Sequence, residues 1–294
     1  MDGDTVSIDL QGLKKAEELS ARAGLRMALP ELELPEWDER NKRDRLLGCS
    51  MTGYSDATSG LSEPEKERLL EYMHKCVSDA AVKYAHDLRI PIPLLSTALK
   101  PEGSLSLVAG GVSPGLHDAH SPYFIRRIRI SADDALAKAA QSLGWTVHPE
   151  VGTPDNDIAK ARTLVIDFPI KSGAKRTKDD VGAIEQLERY LMFQRHYTDH
   201  NSSNTITVRP EEWDAVREFI KTAWDEYVGV SFLSLDGGTY QLAPYEAITK
   251  EKYEELIKNF TPFDPNVLQK FESAGMSDLD ADDPDCATGA CPVR

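Results

Sequence analysis

Short apolar segments alternate along this chain with longer segments of helical periodicity. The apolar segments include RLLGCSMTG (residues 45–53), TLVIDFPI (163–170) and VGVSFLSL (228–235), and the helical ones include residues 62–88 and 180–196. A repeated strand–helix order is typical of a parallel sheet with crossover helices. Strands that are apolar on every position indicate burial on both faces. We therefore predict an α/β fold with a mostly parallel sheet.

The two ends of the chain differ in composition from its middle. Residues 1–40 are polar with one amphipathic stretch at 10–23, and the following LPELELPEWDERNK is predicted to approach the domain in an extended form. From residue 273 onward the sequence is acidic and Gly-rich, which is typical of a mobile tail. We expect an N-terminal approach segment (1–40), one central domain (41–272) and a mobile tail (273–294).

Charge and hydropathy exclude several classes of protein. With 34 basic and 49 acidic residues the net charge is −15, which argues against binding to duplex DNA or to an anionic membrane. No apolar run approaches the roughly 20 residues of a membrane span. The first ten residues are acidic and have no apolar core, so we expect no secretory signal and a reducing, cytoplasmic location.

The stretch ALKPEGSLSLVAGG (residues 98–111) predicts a strand, a tight loop and then a short helix. Free N–H groups at the start of such a helix can hold a phosphate, and a glycine in the loop lets the backbone approach it. The candidate phosphate-binding residues are Pro101, Glu102, Gly103, Ser104, Leu105 and Ser106. An ordinary strand-to-helix turn with a serine cap explains the same pattern. The loop is not a Walker motif, because no Gly-Lys-Ser/Thr follows it.

Two cysteines stand close together in the tail, in Cys286-Ala-Thr-Gly-Ala-Cys291. Thiols separated by four small residues can close an exposed disulfide that exchanges readily with other thiols. We predict that this pair, Cys286 and Cys291, carries electrons between an external reductase and a buried site. Part of a metal site, or two thiols without a role, remain alternatives, although a zinc site needs four ligands. We expect no metal centre.

Other polar clusters are better explained by structure than by chemistry. His117 and His120, together with the arginines at 126, 127 and 129, suit a loop followed by a basic strand face. The stretch from His196 to Asn201 suits a loop before a strand. Cys49 and Cys76 fall in apolar surroundings and are predicted to be small buried side chains.

Five stretches together resemble the C-terminal part of adenosylcobalamin-dependent (class II) ribonucleotide reductases that act on ribonucleoside triphosphates. They are EWDERNKRDRLLGCSMTG, ALKPEGSLSLVAGGVSPGLHDAHSPYFIRR, HNSSNTITVRPEEW, YVGVSFLSLDGGTYQLAPYE and the CATGAC tail. The order of these motifs agrees with the family as well as their content does. The resemblance covers residues 36–294, and residues 1–35 more loosely.

This resemblance implies a fold and a set of roles. The family fold is a ten-stranded α/β barrel made of two five-stranded halves, of which this chain would form the second. The loop of residues 101–106 would bind the substrate's phosphates. The pair Cys286 and Cys291 would re-reduce an active-site disulfide after each turnover and be reduced by thioredoxin. The implied cofactor is adenosylcobalamin, whose contacts these residues do not locate.

One family motif is missing from the chain. The thiyl-radical cysteine and the general-base glutamate form a Cys-x-Glu pattern in the family, and no Cys-x-Glu occurs here. The resemblance therefore implies a component or fragment of the reductase that is inactive without an N-terminal half. The alternative is a non-catalytic nucleotide-binding or thiol-exchange module derived from the same barrel. A free-standing thiol oxidoreductase is a third hypothesis.

Overall fold

A computed structural model describes residues 8–235 and 240–277, with side chains as far as residue 272. In chain order the helices are α1 (Leu10–Met27), α2 (Pro35–Asp44), α3 (Tyr54–Ala57), α4 (Glu63–Leu88), α5 (Leu105–Val108), α6 (Ala135–Ser142), α7 (Ala183–His196), α8 (Trp213–Thr222), α9 (Lys250–Lys258) and α10 (Pro265–Ser277). The strands are β1 (Tyr123–Ser131), β2 (Val147–Pro149), β3 (Thr163–Lys171), β4 (Ile206–Val208), β5 (Phe232–Ser234) and β6 (Tyr245–Ala247).

These elements form two compact units. Unit 1 consists of residues 8–122 and 172–235, and unit 2 consists of residues 123–171 and 240–277. Unit 1 contains α1–α5, α7, α8, β4 and β5. Unit 2 contains a four-stranded sheet with α6, α9 and α10.

The longest helix of unit 1, α4, begins where the sequence predicts. Ser62 and Glu65 form a capping box in which the Ser62 N–H donates to the Glu65 carboxylate at 2.8 Å. Val77 of α4 packs in one buried cluster with Leu25 of α1 and with Leu47. The predicted helix at 62–88 is confirmed, and the amphipathic stretch at 10–23 is helical as far as Met27.

One carboxyl group is buried in the packed face of α1. Glu17 is only 5% exposed, and its Oε2 atom has no hydrogen-bond partner among the described residues. Burial raises the pKa of Glu17 from 4.5 to about 7, because an ionised carboxylate loses its hydration there. Its neighbourhood includes the buried thiol of Cys49 and the buried phenol of Tyr197, both of which it influences electrostatically.

The prediction of an extended approach through LPELELPEWDERNK is wrong for its second half. Residues 35–44 form α2, with Pro35 at the first helical position and Glu36 and Asp38 in the first turn. Proline tolerates that position because its missing N–H is unused there, and acidic side chains favour the positive end of the helix dipole. The alternation of Leu with Pro and Glu thus precedes a helix rather than continuing through it.

Parallel pairing occurs in unit 1, through short contacts. Cys49 forms a parallel bridge with Thr97, and Leu99 forms one with Ser202. Further along, β4 and β5 pair in parallel, with Ile206 opposite Phe232. The sequence pattern also predicts a short strand at 94–99. This segment and the strand predicted at 45–53 are joined by a single parallel bridge rather than by a continuous ladder.

The prediction of a mostly parallel sheet is wrong for unit 2. Its sheet has the order β2-β3-β1-β6, and every neighbouring pair is antiparallel. Strands β1 and β3 pair along nine residues, from Tyr123 opposite Lys171 to Ser131 opposite Thr163. PYFIRRIRIS alternates apolar with charged residues, and such alternation favours an antiparallel sheet with unlike faces over a parallel sheet buried on both.

A row of ionisable side chains crosses this sheet from strand to strand. Arg127 of β1 lies opposite Asp167 of β3, with its Nε 3.0 Å from Oδ1. Asp167 also contacts His148 of β2 at 3.2 Å, and Arg127 contacts Glu246 of β6 at 2.5 Å. We call these four residues the charge row. The Arg127 and Asp167 side chains are only 8% and 10% exposed.

The remaining elements agree with the sequence in position more than in length. The sequence pattern predicts strands at 122–131 and 163–170, which correspond to β1 and β3. It predicts helices at 132–143, 180–196, 210–227 and 249–260, which correspond to α6, α7, α8 and α9. The sequence did not predict β2, β6 or α10. Helix α10 reaches Ser277, inside the segment assigned to the tail.

Candidate functional site

Three chain segments of unit 1 end at one edge, and polar loops follow them. Because the bridges at Cys49–Thr97 and Leu99–Ser202 are parallel, the carboxyl ends of these segments meet there. The Lys100 N–H donates to the Ser50 hydroxyl at 2.9 Å, and the Ser203 N–H donates to the Leu99 carbonyl at 2.7 Å. In open α/β sheets, ligands bind in the crevice beyond this end of the strands.

The PEGS loop, which we define as residues 101–106, turns tightly at this edge. Glu102 adopts the left-handed conformation with φ of 55°, and its carbonyl accepts the Ser106 N–H at 2.9 Å. The loop leads directly into α5, so the predicted order of strand segment, loop and short helix is confirmed. All six candidate phosphate-binding residues therefore lie in one turn.

The PEGS loop presents hydrogen-bond donors that no described residue accepts. Within the described residues, the backbone N–H groups of Gly103, Ser104 and Leu105 donate to no acceptor. A side-chain carbon added at Gly103 would meet no atom within 4 Å, so the space beside the loop is open. Ser104 is exposed, whereas Ser106 is only 2% exposed. Amides that donate to no described residue, in a loop with open space beside it, are suited to holding an anion.

A second loop, the glycine loop of residues 113–118, supports the PEGS loop. Gly115 has φ of 55°, and a side-chain carbon at this position would lie 2.7 Å from the Lys100 carbonyl oxygen. No real Cβ approaches an oxygen so closely, and a left-handed backbone is costly for other residues. Glycine at 115 is therefore what allows the glycine loop to pack directly against the chain entering the PEGS loop.

Reciprocal hydrogen bonds tie the start of the glycine loop to α3. The Ser113 N–H donates to an Asp56 carboxylate oxygen at 2.7 Å, and the Asp56 N–H donates to the Ser113 hydroxyl at 3.3 Å. The Gly53 N–H donates to the Ser113 carbonyl at 2.7 Å. Ser113 is completely buried, so this joint is shielded from water.

His117 ties the glycine loop to the chain just before β4. Its Nε2 accepts the Thr205 N–H at 3.0 Å, and its Nδ1 lies 3.3 Å from the Pro114 carbonyl. Burial lowers the pKa of His117, which favours the neutral ring that this arrangement requires. With Nε2 as the acceptor, Nδ1 carries the proton and donates to Pro114. The interpretation of His117 as a structural loop histidine is confirmed.

Arg189 of α7 fixes the end of the glycine loop. Its guanidinium donates to Asp118 at 2.7 Å, to the Leu116 carbonyl at 2.9 Å and to the Ser55 hydroxyl at 3.0 Å. The Arg189 and Asp118 side chains are 13% and 7% exposed. All three contacts are made by Nη1, whose two hydrogens are shared among the three acceptors, so one side chain joins α3, α7 and the glycine loop.

Other polar residues noted in the sequence also have structural partners. Asp199 accepts the N–H groups of Ser96 and Thr97 at 2.8 and 3.1 Å and contacts His74 at 3.0 Å. His200 contacts the Leu47 carbonyl at 2.7 Å. These contacts hold the parallel segments in register, which confirms the structural interpretation of this loop.

The structure describes two of the four cysteines. Cys49 and Cys76 are free and buried, as predicted, and burial raises the pKa of the Cys49 thiol. Such a thiol is a poor nucleophile. Cys286 and Cys291 lie outside the described residues. Among the residues that the structure describes, no three His, Cys, Asp or Glu side chains come together to hold a metal ion.

Sequence reasoning missed the residues that support the PEGS loop. Ser50, Gly115 and Arg189 were not singled out, and each acts through a contact with a distant part of the chain. The only local signal is the glycine two residues before His117. Within the described residues, no helix combines the length and apolar character needed to cross a membrane.

Comparison with known proteins gives a consistent result. The chain is 33% identical to the adenosylcobalamin-dependent ribonucleoside-triphosphate reductase of Euglena gracilis, over 76% of this chain and 30% of that protein. It is 28% identical to the Lactobacillus gasseri protein of the same name, over 96% of this chain and 41% of that one. A probable reductase of this kind from Dictyostelium discoideum is 29% identical over 88% of this chain.

The chain is homologous to one part of these reductases. It spans between 30% and 41% of the length of the curated relatives it matches. No protein-family model matches it.

Solved structures show that the fold is shared with ribonucleotide reductases. The crystal structure of a B12-dependent (class II) ribonucleotide reductase matches 91% of this chain with a TM-score of 0.73 and 24% identity, and 40% of that chain is covered. The class Id ribonucleotide reductase alpha subunit of Actinobacillus ureae matches 78% of this chain with a TM-score of 0.50 and 13% identity. The α/β fold is thus that of one portion of a reductase.

Proposed function

We propose that this chain is a component of a class II ribonucleotide reductase, which converts ribonucleoside triphosphates to 2′-deoxyribonucleotides by thiyl-radical chemistry. Its contribution is the substrate-phosphate loop and the C-terminal dithiol. The observation that carries the proposal is the PEGS loop: three backbone amides that donate to no described residue lie where the Leu99 segment ends, and the space beside Gly103 is open. The homology to adenosylcobalamin-dependent ribonucleoside-triphosphate reductases supplies the reaction.

The PEGS loop would hold the triphosphate by backbone groups. Amides of Gly103, Ser104 and Leu105 and the exposed Ser104 hydroxyl are the donors that this proposal assigns to phosphate oxygens. Backbone donors suit a protein of net charge −15, because they bind an anion without a cluster of lysines. Gly115 and Arg189 would keep the PEGS loop in place through the glycine loop.

The proposed function also implies a larger fold than the described strands form. We propose that the parallel segments of unit 1 belong to the second half of a ten-stranded barrel, within the predicted domain of residues 41–272. The bridges at Cys49–Thr97 and Leu99–Ser202 and the pairing of β4 with β5 supply part of such a half. An N-terminal half would supply the other strands and the absent Cys-x-Glu motif.

The tail would renew the reducing power of the active site. Removal of the ribose 2′-hydroxyl takes two electrons from a pair of thiols, which become a disulfide. The thiols of Cys286 and Cys291 would then reduce that disulfide by exchange, becoming a disulfide themselves, and thioredoxin would reduce them in turn. This proposal places the protein in a reducing, cytoplasmic compartment.

Adenosylcobalamin is proposed as the cofactor of the complete reductase, where it would generate the radical. The sequence and the described residues do not locate the contacts of this cofactor.

A complementation assay tests this function. The purified chain is mixed with an N-terminal half, adenosylcobalamin, thioredoxin and a ribonucleoside triphosphate, and deoxynucleotide is measured. We expect product from the mixture and none from either half alone. Turnover by the isolated chain would contradict the need for an N-terminal half. Absence of product from two folded, associated proteins would favour the non-catalytic module.

Replacing Cys286 or Cys291 with Ser distinguishes the role of the tail from that of the active site. In the complemented enzyme we expect these variants to lose turnover with thioredoxin and to keep it with a small dithiol. Replacing buried Cys76 with Ser provides a control thiol outside the tail. Equal loss with both reductants would show that the tail is not the electron carrier.

A further inference from the structure

Trp145 fastens the connection between α9 and α10 to the rest of unit 2. It lies in the loop between α6 and β2 and stacks on Phe260, with ring centres 4.8 Å apart and planes 22° apart. Its indole Nε1 donates to the Thr261 carbonyl at 2.7 Å. The ring of Phe263 lies 6.3 Å from that of Trp145. One side chain thus contacts three residues of the six that join the two helices.

The same tryptophan also contacts the sheet. Phe168 of β3 meets Trp145 edge to face, with ring centres 5.4 Å apart and planes 75° apart. Phe168 and Phe260 are 6.3 Å apart. Aromatic rings favour such stacked and edge-to-face arrangements, and a tryptophan N–H gains from a hydrogen-bond partner. We call Trp145, Phe168, Phe260 and Phe263 the aromatic cluster.

Helix α10 begins directly after the aromatic cluster. The Asp264 carboxylate accepts the Asn266 N–H at 2.9 Å, which caps the start of the helix. Helix α10 packs against α6, whose Ala137 and Ala139 are completely buried. The cluster therefore determines where α10 starts, and α6 supports the helix from there.

The position of α10 limits where the predicted redox tail can act. From Ser277 to Cys286 the chain advances by nine residues, so Cys286 lies no farther than roughly 32 Å from the end of α10. Without α10 the last anchored element would be α9, whose Tyr253 packs on Tyr123 of β1 at 5.2 Å. Helix α9 ends 28 residues before Cys286.

The length of a connection sets the local concentration of the group that it carries. For a flexible connection, the effective concentration falls as about the −3/2 power of length. Lengthening the connection from nine to 28 residues therefore lowers the effective concentration of the tail thiols about fivefold. Anchoring of α10 keeps this connection short.

We propose that Trp145 is a positioning residue for the redox tail, because it fixes the start of α10 and thereby the region that Cys286 and Cys291 can reach. This inference rests on the proposed function. In the exchange itself, one tail thiolate attacks the active-site disulfide and forms a mixed disulfide. The second tail thiol then closes the tail disulfide and releases two active-site thiols. Trp145 takes no part in these steps and acts only through the position of α10.

Four substitutions test this role. Trp145→Ala removes the centre of the aromatic cluster, and Trp145→Phe keeps a ring but loses the N–H that bonds Thr261. Phe263→Ala is a milder change, because Phe263 is 46% exposed. The matched control is Trp213→Ala, since Trp213 likewise pairs with a phenylalanine, Phe232 at 5.9 Å, but in unit 1.

The measurement is the rate at which the tail disulfide appears after one turnover of the complemented, prereduced enzyme. Remaining thiols are alkylated at successive times and located by mass spectrometry. We expect Trp145→Ala to slow this exchange about fivefold and Trp213→Ala to leave it within about twofold. Trp145→Phe should restore part of the rate, and Phe263→Ala should have a smaller effect than Trp145→Ala.

Two further measurements separate positioning from a general loss of structure. Turnover with a small dithiol does not need the tail, so we expect it to stay within about twofold in every variant. Hydrogen exchange of α10 (Pro265–Ser277) should quicken in Trp145→Ala, and this can be measured on the chain alone. Phe263→Ala keeps the test informative if Trp145→Ala does not fold.

The outcomes distinguish this inference from the proposed function. If the wild-type mixture makes product and folded Trp145 and Phe263 variants form the tail disulfide as fast as wild type, the inference is wrong and the function stands. Equal loss of tail exchange and of turnover with the small dithiol would show a structural role only, which also overturns the inference. If the wild-type mixture makes no product with either reductant, both fail.

Discussion

Units 1 and 2 both bring strands together, but they fix the strands by different means. In unit 1 the parallel contacts are short: two single bridges and the three-residue pairing of β4 with β5. Loop residues such as buried Ser113 and half-buried His117 hold the surrounding chain. In unit 2, β1 and β3 pair along nine residues, and the charge row passes through all four strands. Long pairing with complementary side chains specifies register directly, whereas short bridges depend on the loops around them.

The largest loss of stability is expected from a substitution that interrupts the charge row. Asp167→Leu leaves the Arg127 guanidinium buried with only Glu246 as an acidic partner. Removing one member of a buried ion pair costs about 3–5 kcal/mol. We expect the free energy of unfolding of unit 2 to fall by that order while unit 1 is little changed. Hydrogen exchange under increasing denaturant, followed by mass spectrometry, measures each unit separately.

The matched control for this prediction is Arg129→Met, because Arg129 is on the same strand and exposed. Its effect should stay within about 0.5 kcal/mol. The double variant Arg127→Met/Asp167→Leu should recover part of the loss, since no unpaired buried charge remains. Equal destabilisation of both units by Asp167→Leu would contradict the idea that the charge row acts within unit 2.

A smaller effect concerns pH and unit 1. The folded protein holds a proton on Glu17 up to about pH 7, whereas an unfolded glutamate releases it near pH 4.5. Stability should therefore fall as pH rises from 4.5 to 7, by roughly 3 kcal/mol, and then level off. Urea unfolding across this pH range measures the slope.

Glu17→Gln should flatten this pH dependence in unit 1, because glutamine does not titrate. Glu18→Gln is the control, since the Glu18 side chain is 44% exposed in an ion pair with Lys14. An unchanged slope in Glu17→Gln would mean that another group is responsible.

The smallest effect compares two glycines near the candidate site. Gly115→Ala should destabilise unit 1 by at least about 1–2 kcal/mol, because its backbone is left-handed and the new carbon would overlap the Lys100 carbonyl. Gly103→Ala meets no neighbour and should change stability by less than about 0.5 kcal/mol. Thermal unfolding of both variants makes the comparison, and equal melting temperatures would remove the argument for close packing at Gly115.

Local signals explain how much of the fold could be predicted. The capping pattern at Ser62 and the alternation in β1 each involve residues near in sequence, and both elements are confirmed. Strand direction depends on partners elsewhere, so apolar content alone gave the wrong direction for unit 2. The charges at 126, 127 and 129 were the evidence against a sheet buried on both faces.

The candidate site divides in the same way. The PEGS loop could be predicted because proline, glycine and serine influence the local conformation of their own backbone. The residues that support this loop could not be predicted, because Arg189 and the glycine loop residues it contacts are more than seventy positions apart in sequence. Cys286 and Cys291 remain a prediction from spacing and resemblance.

The antiparallel pairing of β1 with β3 has a consequence for the gene as well as for the protein. The pairing begins at Tyr123 opposite Lys171, and directly before it the Ser172 N–H donates to the Pro122 carbonyl at 2.9 Å. Residues 122 and 172 are thus already neighbours. The codons for residues 123–171 therefore interrupt those of unit 1 between two positions that are neighbours in the fold, and the other part of unit 2, residues 240–277, is encoded after unit 1.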